Sequence, residues 1–182
     1  MYNKKIVRKL KKIKIFNYFL MNIFELIRKK EINRIKELIS MNEIDVNIQN
    51  SFGNTPLHIA CMEGESEIVK FLLISGANPN IKNIVGYIPL HDAVYYQHID
   101  IVNMLLKFKS NVNERDESGN TPLHYTIEKN NKEITELLLL NGADINIKNN
   151  DNKIPYDIAS DDMKNFIKNI MDKLNKNIKN YK

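Results

Sequence analysis

Between Pro56 and Gly76 the apolar positions fall into two short stripes at helical spacing, with glycines at their ends. Leu57, Ala60 and Cys61 mark the buried side of a first helix that opens at Pro56, where a missing N–H costs nothing, behind Thr55 as cap. Gly64 ends it. Ser66 then caps a second helix whose Ile68, Val69, Leu72 and Leu73 form a stripe of period 3.6, stopped by Gly76. Just upstream, Gly53 suits a tight turn at positive φ. The pattern predicts a unit of helix, turn, helix and loop. Neither helix is long enough to be stable alone, and such a pair buries its two apolar sides against like pairs before and after it.

The unit recurs. T-P-L-H occupies Thr55–His58 and Thr121–His124; Ile88-Pro89-Leu90-His91 lies halfway between, and Ile154-Pro155-Tyr156-Asp157 follows, so four copies start at 55, 88, 121 and 154 on one register of 33. Asp45-Val46-Asn47, Asn78-Pro79-Asn80, Asn111-Val112-Asn113 and Asp144-Ile145-Asn146 keep the same spacing. Two independent landmarks with one period predict a stacked solenoid.

These residues resemble the ankyrin repeat family, whose G-x-T-P-L-H-x-A, interhelical glycine, I-V-x-x-L-L stripe and closing G-A-D-x-N loop match Gly53 to Asn80. The resemblance covers residues 17–182. It implies an all-α solenoid of helix-turn-helix units joined by β-turn or hairpin loops: a diverged cap at 17–49, full repeats at 50–82, 83–115 and 116–148, and a frayed cap at 149–182. The domain is drawn as 21–182 behind a basic extension, residues 1–20. Several positions depart from the pattern. Gln97 and Asn130 replace Gly64, Asn152 replaces Gly53, and Lys109 replaces Gly76; Asn accepts left-handed φ more readily than Gln or Lys, so the third repeat is expected to be strained. Asn22 to Glu25 stands where T-P-L-H would be in the first unit, followed by polar Lys29, Lys30, Arg34 and Lys36, as befits a terminal repeat facing water. In the last unit Met171 and Asp172 replace the leucine pair, which predicts a weak, charged cap helix.

Composition narrows the functional classes. No apolar run approaches the roughly 20 residues of a membrane span. The one cysteine, Cys61, excludes an intramolecular disulfide framework and a multi-cysteine metal site, which makes a reducing, cytoplasmic setting the simplest expectation. The net charge of +5 belongs to the ends. Residues 1–24 hold seven basic side chains and no acid, residues 149–182 seven Lys against five Asp, and the middle, with 13 basic and 17 acidic residues, is at −4. A mildly acidic middle is a poor phosphate-tracking surface, so no nucleic acid is expected as partner.

Candidate chemistry is sparse. His58, His91 and His124 recur every 33 residues, but stacking holds successive copies about 10 Å apart, too far to share one ion. The resemblance implies instead that these rings hydrogen-bond the backbone of neighbouring loops. His98, off the register, is expected to be exposed on a loop or helix start, and Cys61 to be core. No nucleophile elbow, phosphate-binding glycine loop, HExxH or paired-carboxylate motif is present, so neither catalysis nor a cofactor or metal is expected.

What remains is binding. Stacks resembling this one receive partners on the concave side, with the turn before the first helix and that helix's exposed end. Mapped by register, those positions are Ser51, Phe52, Asn54, Met62 and Glu63 in the second unit and Glu117, Ser118, Asn120, Glu128 and Lys129 in the fourth. In the third they are Ile84, Val85, Tyr87, Tyr95 and Tyr96, with Phe108 near the end of the second helix. Loop positions that water keeps polar elsewhere are apolar or aromatic here. Tyrosine offers large area, few rotors and a polar tip, which makes Phe52, Met62, Ile84, Val85, Tyr87, Tyr95 and Tyr96 the candidate site for a protein partner. A rival explanation has Ile84 and Val85 packing on adjacent turns. The chain is otherwise expected to be a monomer. Residues 1–20 leave several readings open: Ile6, Leu10, Ile13 and Leu20 fall near helical spacing among the cations, which suits an adaptor lying on an anionic membrane. A solvated extension, an export signal without a convincing cleavage site, and a true start at Met21 compete with it.

Overall fold

The computed structural model describes residues 23–41 and 44–180, with side chains through Leu174. The basic extension, with its membrane, export and start-site readings, lies outside them. Within the described residues the chain is all-α. After α1 (residues 23–28) come α2 (Ile32–Ser40), α3 (Pro56–Met62), α4 (Ser66–Ile74), α5 (Pro89–Tyr95), α6 (Ile99–Lys107), α7 (Pro122–Glu128), α8 (Lys132–Leu140), a 3-10 turn (Pro155–Ile158) and α9 (Asp161–Asn180). In one row α3 packs on α5, α5 on α7 and α7 on the 3-10 turn; in the other, α2, α4, α6, α8 and α9 stack in order. One apolar core runs through the stack. Leu57, Ala60, Cys61, Ile68, Val69 and Leu72 are sealed from solvent, as the two stripes require. Among the described residues no helix is long and apolar enough to cross a membrane.

The second landmark acts between units. Asn47 donates from Nδ2 to the Gly76 carbonyl (3.3 Å) while its Oδ1 accepts the Asn78 N–H (2.7 Å). Asn80 does the same to Lys109 and Asn111, and Asn113 to Gly142 and Asp144. Each D-x-N loop is thereby tied to the next by one side chain that satisfies two backbone groups. The turn tips are linked as well, Ile84 N–H to Phe52 O and Glu117 N–H to Val85 O, both at 3.1 Å. These loops are turns rather than a ladder; no strand forms among the described residues.

The substituted glycine positions keep the glycine conformation. Gln97, Lys109, Asn130 and Asn152 stand at φ of 62, 65, 53 and 62°. Gln97 and Lys109 place the expected strain in the third unit, at a cost of about 1 kcal/mol each.

Both caps differ from the 33-residue register. The interhelical turn of the first unit falls at Lys30 (φ 60°), 34 residues before Gly64, and α2 likewise starts 34 before α4. With Asp45 and Asn78 still 33 apart, one extra residue enters between Ser40 and Asp45, and the first unit runs one residue earlier than Asn22–Glu25 implied. Its polar side reaches forward: Lys30 pairs with Glu65 (2.7 Å) and Lys36 with Glu67 (3.4 Å). At the other end the first helix shrinks to the 3-10 turn, because Ser160 Oγ already accepts the Met163 N–H (3.2 Å) and starts the next helix. The expected weak cap is instead α9, 20 residues long, burying Met163, Ile167 and Ile170 against the stack. Met171 is half-buried and Asp172 exposed.

Candidate functional site

Two loops and the ends of α3 and α5 build the candidate face. The carboxamide of Asn83 accepts the N–H groups of Val85 and Tyr87 at 3.0 Å and donates to Asn54 Oδ1 at 2.8 Å, locking the turn that carries Ile84 and Val85. Asn50 and Asn149 hold their own turns in the same way. Pinned so, Ile84 and Val85 remain 64% and 48% exposed, so packing against adjacent turns does not account for them.

All seven candidate residues come together. Phe52, Met62, Ile84, Val85, Tyr87, Tyr95 and Tyr96, with Asn54, Asn83 and Asp92, line one cleft of about 330 Å³ between the second and third units. Tyr95 and Tyr96 meet edge to face, ring centres 5.3 Å apart, at the exposed end of α5. Lys129 lays its ammonium 4.4 Å from the Tyr95 ring centre. Of the other rim residues, Glu63 turns to Arg28 (3.7 Å), and Glu117 and Glu128 are exposed. Phe108 is exposed but is not part of the cleft.

The neighbouring groove, between the third and fourth units, is furnished differently. Tyr125 sits where Ile59 and Asp92 stand in earlier units; its hydroxyl accepts from Tyr87 (2.8 Å) and donates to Asp116 Oδ2. Asp116 Oδ1 meanwhile takes the N–H groups of Ser118 and Asn120 (2.8 and 2.9 Å). That carboxylate is satisfied from within. Asp92 is not. Only 2% exposed, it has no hydrogen bond to its sealed Oδ2 among the described residues, and burial pushes its carboxyl well above the usual range. The residue pattern held a signal for it: an acid at the x of T-P-L-H-x-A, between copies where Ile and Tyr are buried. Asn54 had been placed on the face by register, whereas Asn83 and Asp92 had not.

The three register histidines are structural. His58 Nδ1 accepts the Thr55 N–H (3.1 Å), leaving Nε2 to donate to the Tyr87 carbonyl (3.0 Å); His124 repeats this with Thr121 (3.1 Å) and Lys153 (3.2 Å). His91 keeps the first bond, to Ile88 N–H (3.2 Å), while its Nε2 has no hydrogen-bond partner among the described residues. Burial lowers His58 and His91 from 6.5 to about 4. His98 corrects the expectation of exposure. It is half-buried at the start of α6, its ring lying over Gly64 with Nε2 3.3 Å from the Met62 carbonyl, and a Cβ on Gly64 would fall 2.6 Å from that ring. Cys61 is fully buried, which raises its thiol and keeps it protonated core.

A stack of paired helices in two rows, tied loop to loop, is a repeat scaffold. The family model for ankyrin repeats in three copies matches residues 20–116, 67–149 and 90–180, and the chain belongs to the ankyrin repeat family. It is 43% identical over 44 residues (24% of this chain) to the BTB/POZ domain and ankyrin repeat-containing protein NPR3 of Oryza sativa subsp. japonica, covering 8% of that protein. It is 37% identical over 43 residues (24% of this chain) to human ankyrin repeat domain-containing protein 7, covering 17% of it. To a putative ankyrin repeat protein of Rickettsia felis it is 32% identical over 71 residues, 34% of this chain and 48% of that protein. The chain thus spans less than half the length of each of these relatives. Ankyrin repeats are generally protein–protein interaction modules, and the family is typically non-enzymatic.

Proposed function

We propose that this chain is a non-enzymatic module that binds a partner protein in the cleft between its second and third units. The observation that carries this reading is the convergence of Phe52, Met62, Ile84, Val85, Tyr87, Tyr95 and Tyr96 on one open cleft, with Ile84 and Val85 held out by a locked turn. Tyr95 and Tyr96 lie at the exposed tip of α5, so little of the fold depends on their rings. An aromatic centre with a charged rim of Glu117, Glu128 and Lys129 is the anatomy of an interaction hot spot.

The test is selection of binders from a random displayed-peptide library on the folded chain, with affinities then measured on the Tyr95→Ala/Tyr96→Ala variant. The expected loss is about tenfold or more, with a melting temperature within a few degrees of the parent. Unchanged affinity removes the cleft as the binding site, and a collapsed variant shows the two rings to be structural.

A further inference from the structure

Asp92 is an expensive residue for its place. The same register position is filled by Ile59 one unit earlier and Tyr125 one unit later, so the fold accepts an apolar side chain there and can also cover a carboxylate, as Tyr125 covers Asp116. A buried acid without a hydrogen bond destabilises the free protein. Among the described residues no lysine or arginine pairs with it; Lys129, the cation on the rim, rests on Tyr95. Yet Asp92 lines the cleft together with Tyr87, Tyr95 and Tyr96. An acid at the base of an aromatic-walled opening suits an organic cation, because the ring faces attract that charge and the carboxyl ionises beside it. Lys129 over Tyr95 already displays an ammonium on one of these rings.

We propose that the cleft seats a lysine side chain of the partner protein, its ammonium beside Asp92 and its methylene stem between the tyrosines. This rests on the docking reading above. Lysine fits better than arginine because Asp92 Oδ2 is sealed, leaving no open pair of oxygens for a guanidinium fork, whereas an ammonium on a slim stem needs one oxygen. A metal ion is poorly served. Hard cations want six or more oxygens, and the other cleft amides are engaged, Asn54 Oδ1 by Asn83 and Asn83 Oδ1 by two backbone N–H groups.

The experiment titrates the whole chain with Nα-acetyl-lysine N-methylamide, its norleucine counterpart, which has no ammonium, and its arginine counterpart, following tyrosine ring and Asp92 carboxyl resonances by NMR. The lysine probe is expected to bind roughly tenfold more tightly than norleucine, and the Asp92→Asn variant to bring the two within about twofold. Asp92→Ile, carrying the residue of the second unit, serves as a second variant and keeps the test open if the amide fails to fold. Equal binding of lysine and norleucine to the parent, or a preference that survives in both variants, overturns the proposal. Tighter binding of arginine overturns the choice of lysine. If library peptides dock and are lost with Tyr95→Ala/Tyr96→Ala while the lysine preference is absent, docking stands and the lysine seat falls.

Discussion

Lowering the pH should unfold this protein chiefly through His58 and His91. Both rings are sealed in the stack, and burial holds each imidazole neutral down to about pH 4 instead of 6.5. The unfolded chain takes up protons below 6.5 and the folded chain does not, so stability falls as the pH drops from 6.5 to 4 and levels off beneath that. One pH unit corresponds to about 1.4 kcal/mol, so each ring costs about 3 kcal/mol over the whole window. Two such rings approach the entire stability of an ordinary domain, about 5–15 kcal/mol. Protonation also turns Nδ1 from acceptor to donor and breaks the bonds from Thr55 and Ile88 N–H. His124 is lowered in the same direction. Asp92, raised by burial, works the other way by taking up its proton in the folded state first. Urea unfolding followed by far-ultraviolet circular dichroism at steps from pH 7.5 to 4.5 measures the slope, since the chain has no tryptophan to report it. Carbon-bound ring protons observed by NMR assign it. A stability that is flat between pH 6.5 and 4.5, or folded-state rings titrating near 6.5, refutes the argument.

Two further outcomes follow from the same geometry. Lys109→Gly should stabilise the chain by about 0.5 kcal/mol, the relief of left-handed strain at φ 65° less the extra freedom glycine gains when unfolded, read as a shift in the urea midpoint. Tyr125→Phe should cost about 1–2 kcal/mol in the same assay, because it strips the donor from the buried Asp116 Oδ2 and the acceptor from the Tyr87 hydroxyl.

What could be read from the residues is what each unit settles for itself. Pro56 at the start of α3, the Ile68, Val69, Leu72 and Leu73 stripe, and the turn positions at Gly53 and Gly76 depend on local sterics and periodicity, so their pattern transfers directly into the fold. The cleft was legible for a related reason. Once the register says that a position such as 84 or 85 faces water in every unit, an apolar side chain there stands out against its own copies. The misses lie where a neighbour decides. The extra residue after Ser40 leaves the spacing of Asp45 and Asn78 intact and shows in where Lys30 turns and α2 starts. His98 is drawn in by the bare surface of Gly64 in the preceding unit, a contact that spans 34 positions. The length of α9 reflects the buried apolar side it gains from α8, which a reading of Met171 and Asp172 alone undervalues.

The same distinction explains why Asp92 went unseen while Tyr87, Tyr95 and Tyr96 did not. An aromatic in a turn stands out at one surface position, whereas an acid at a register position shared with Ile59 and Tyr125 tells only once the groove between two units is built. Tyr125 makes the comparison internal to the molecule: at the same register position it fills the next groove and completes the coordination of Asp116. With Asp92 in that place, the groove between the second and third units is a cleft whose lining includes an acid unpaired among the described residues. That one position sets an acid among the apolar and aromatic side chains of the cleft. A lysine seated there would give the tyrosines that line it a second reason to be aromatic, because their faces attract the cation on its way to that acid.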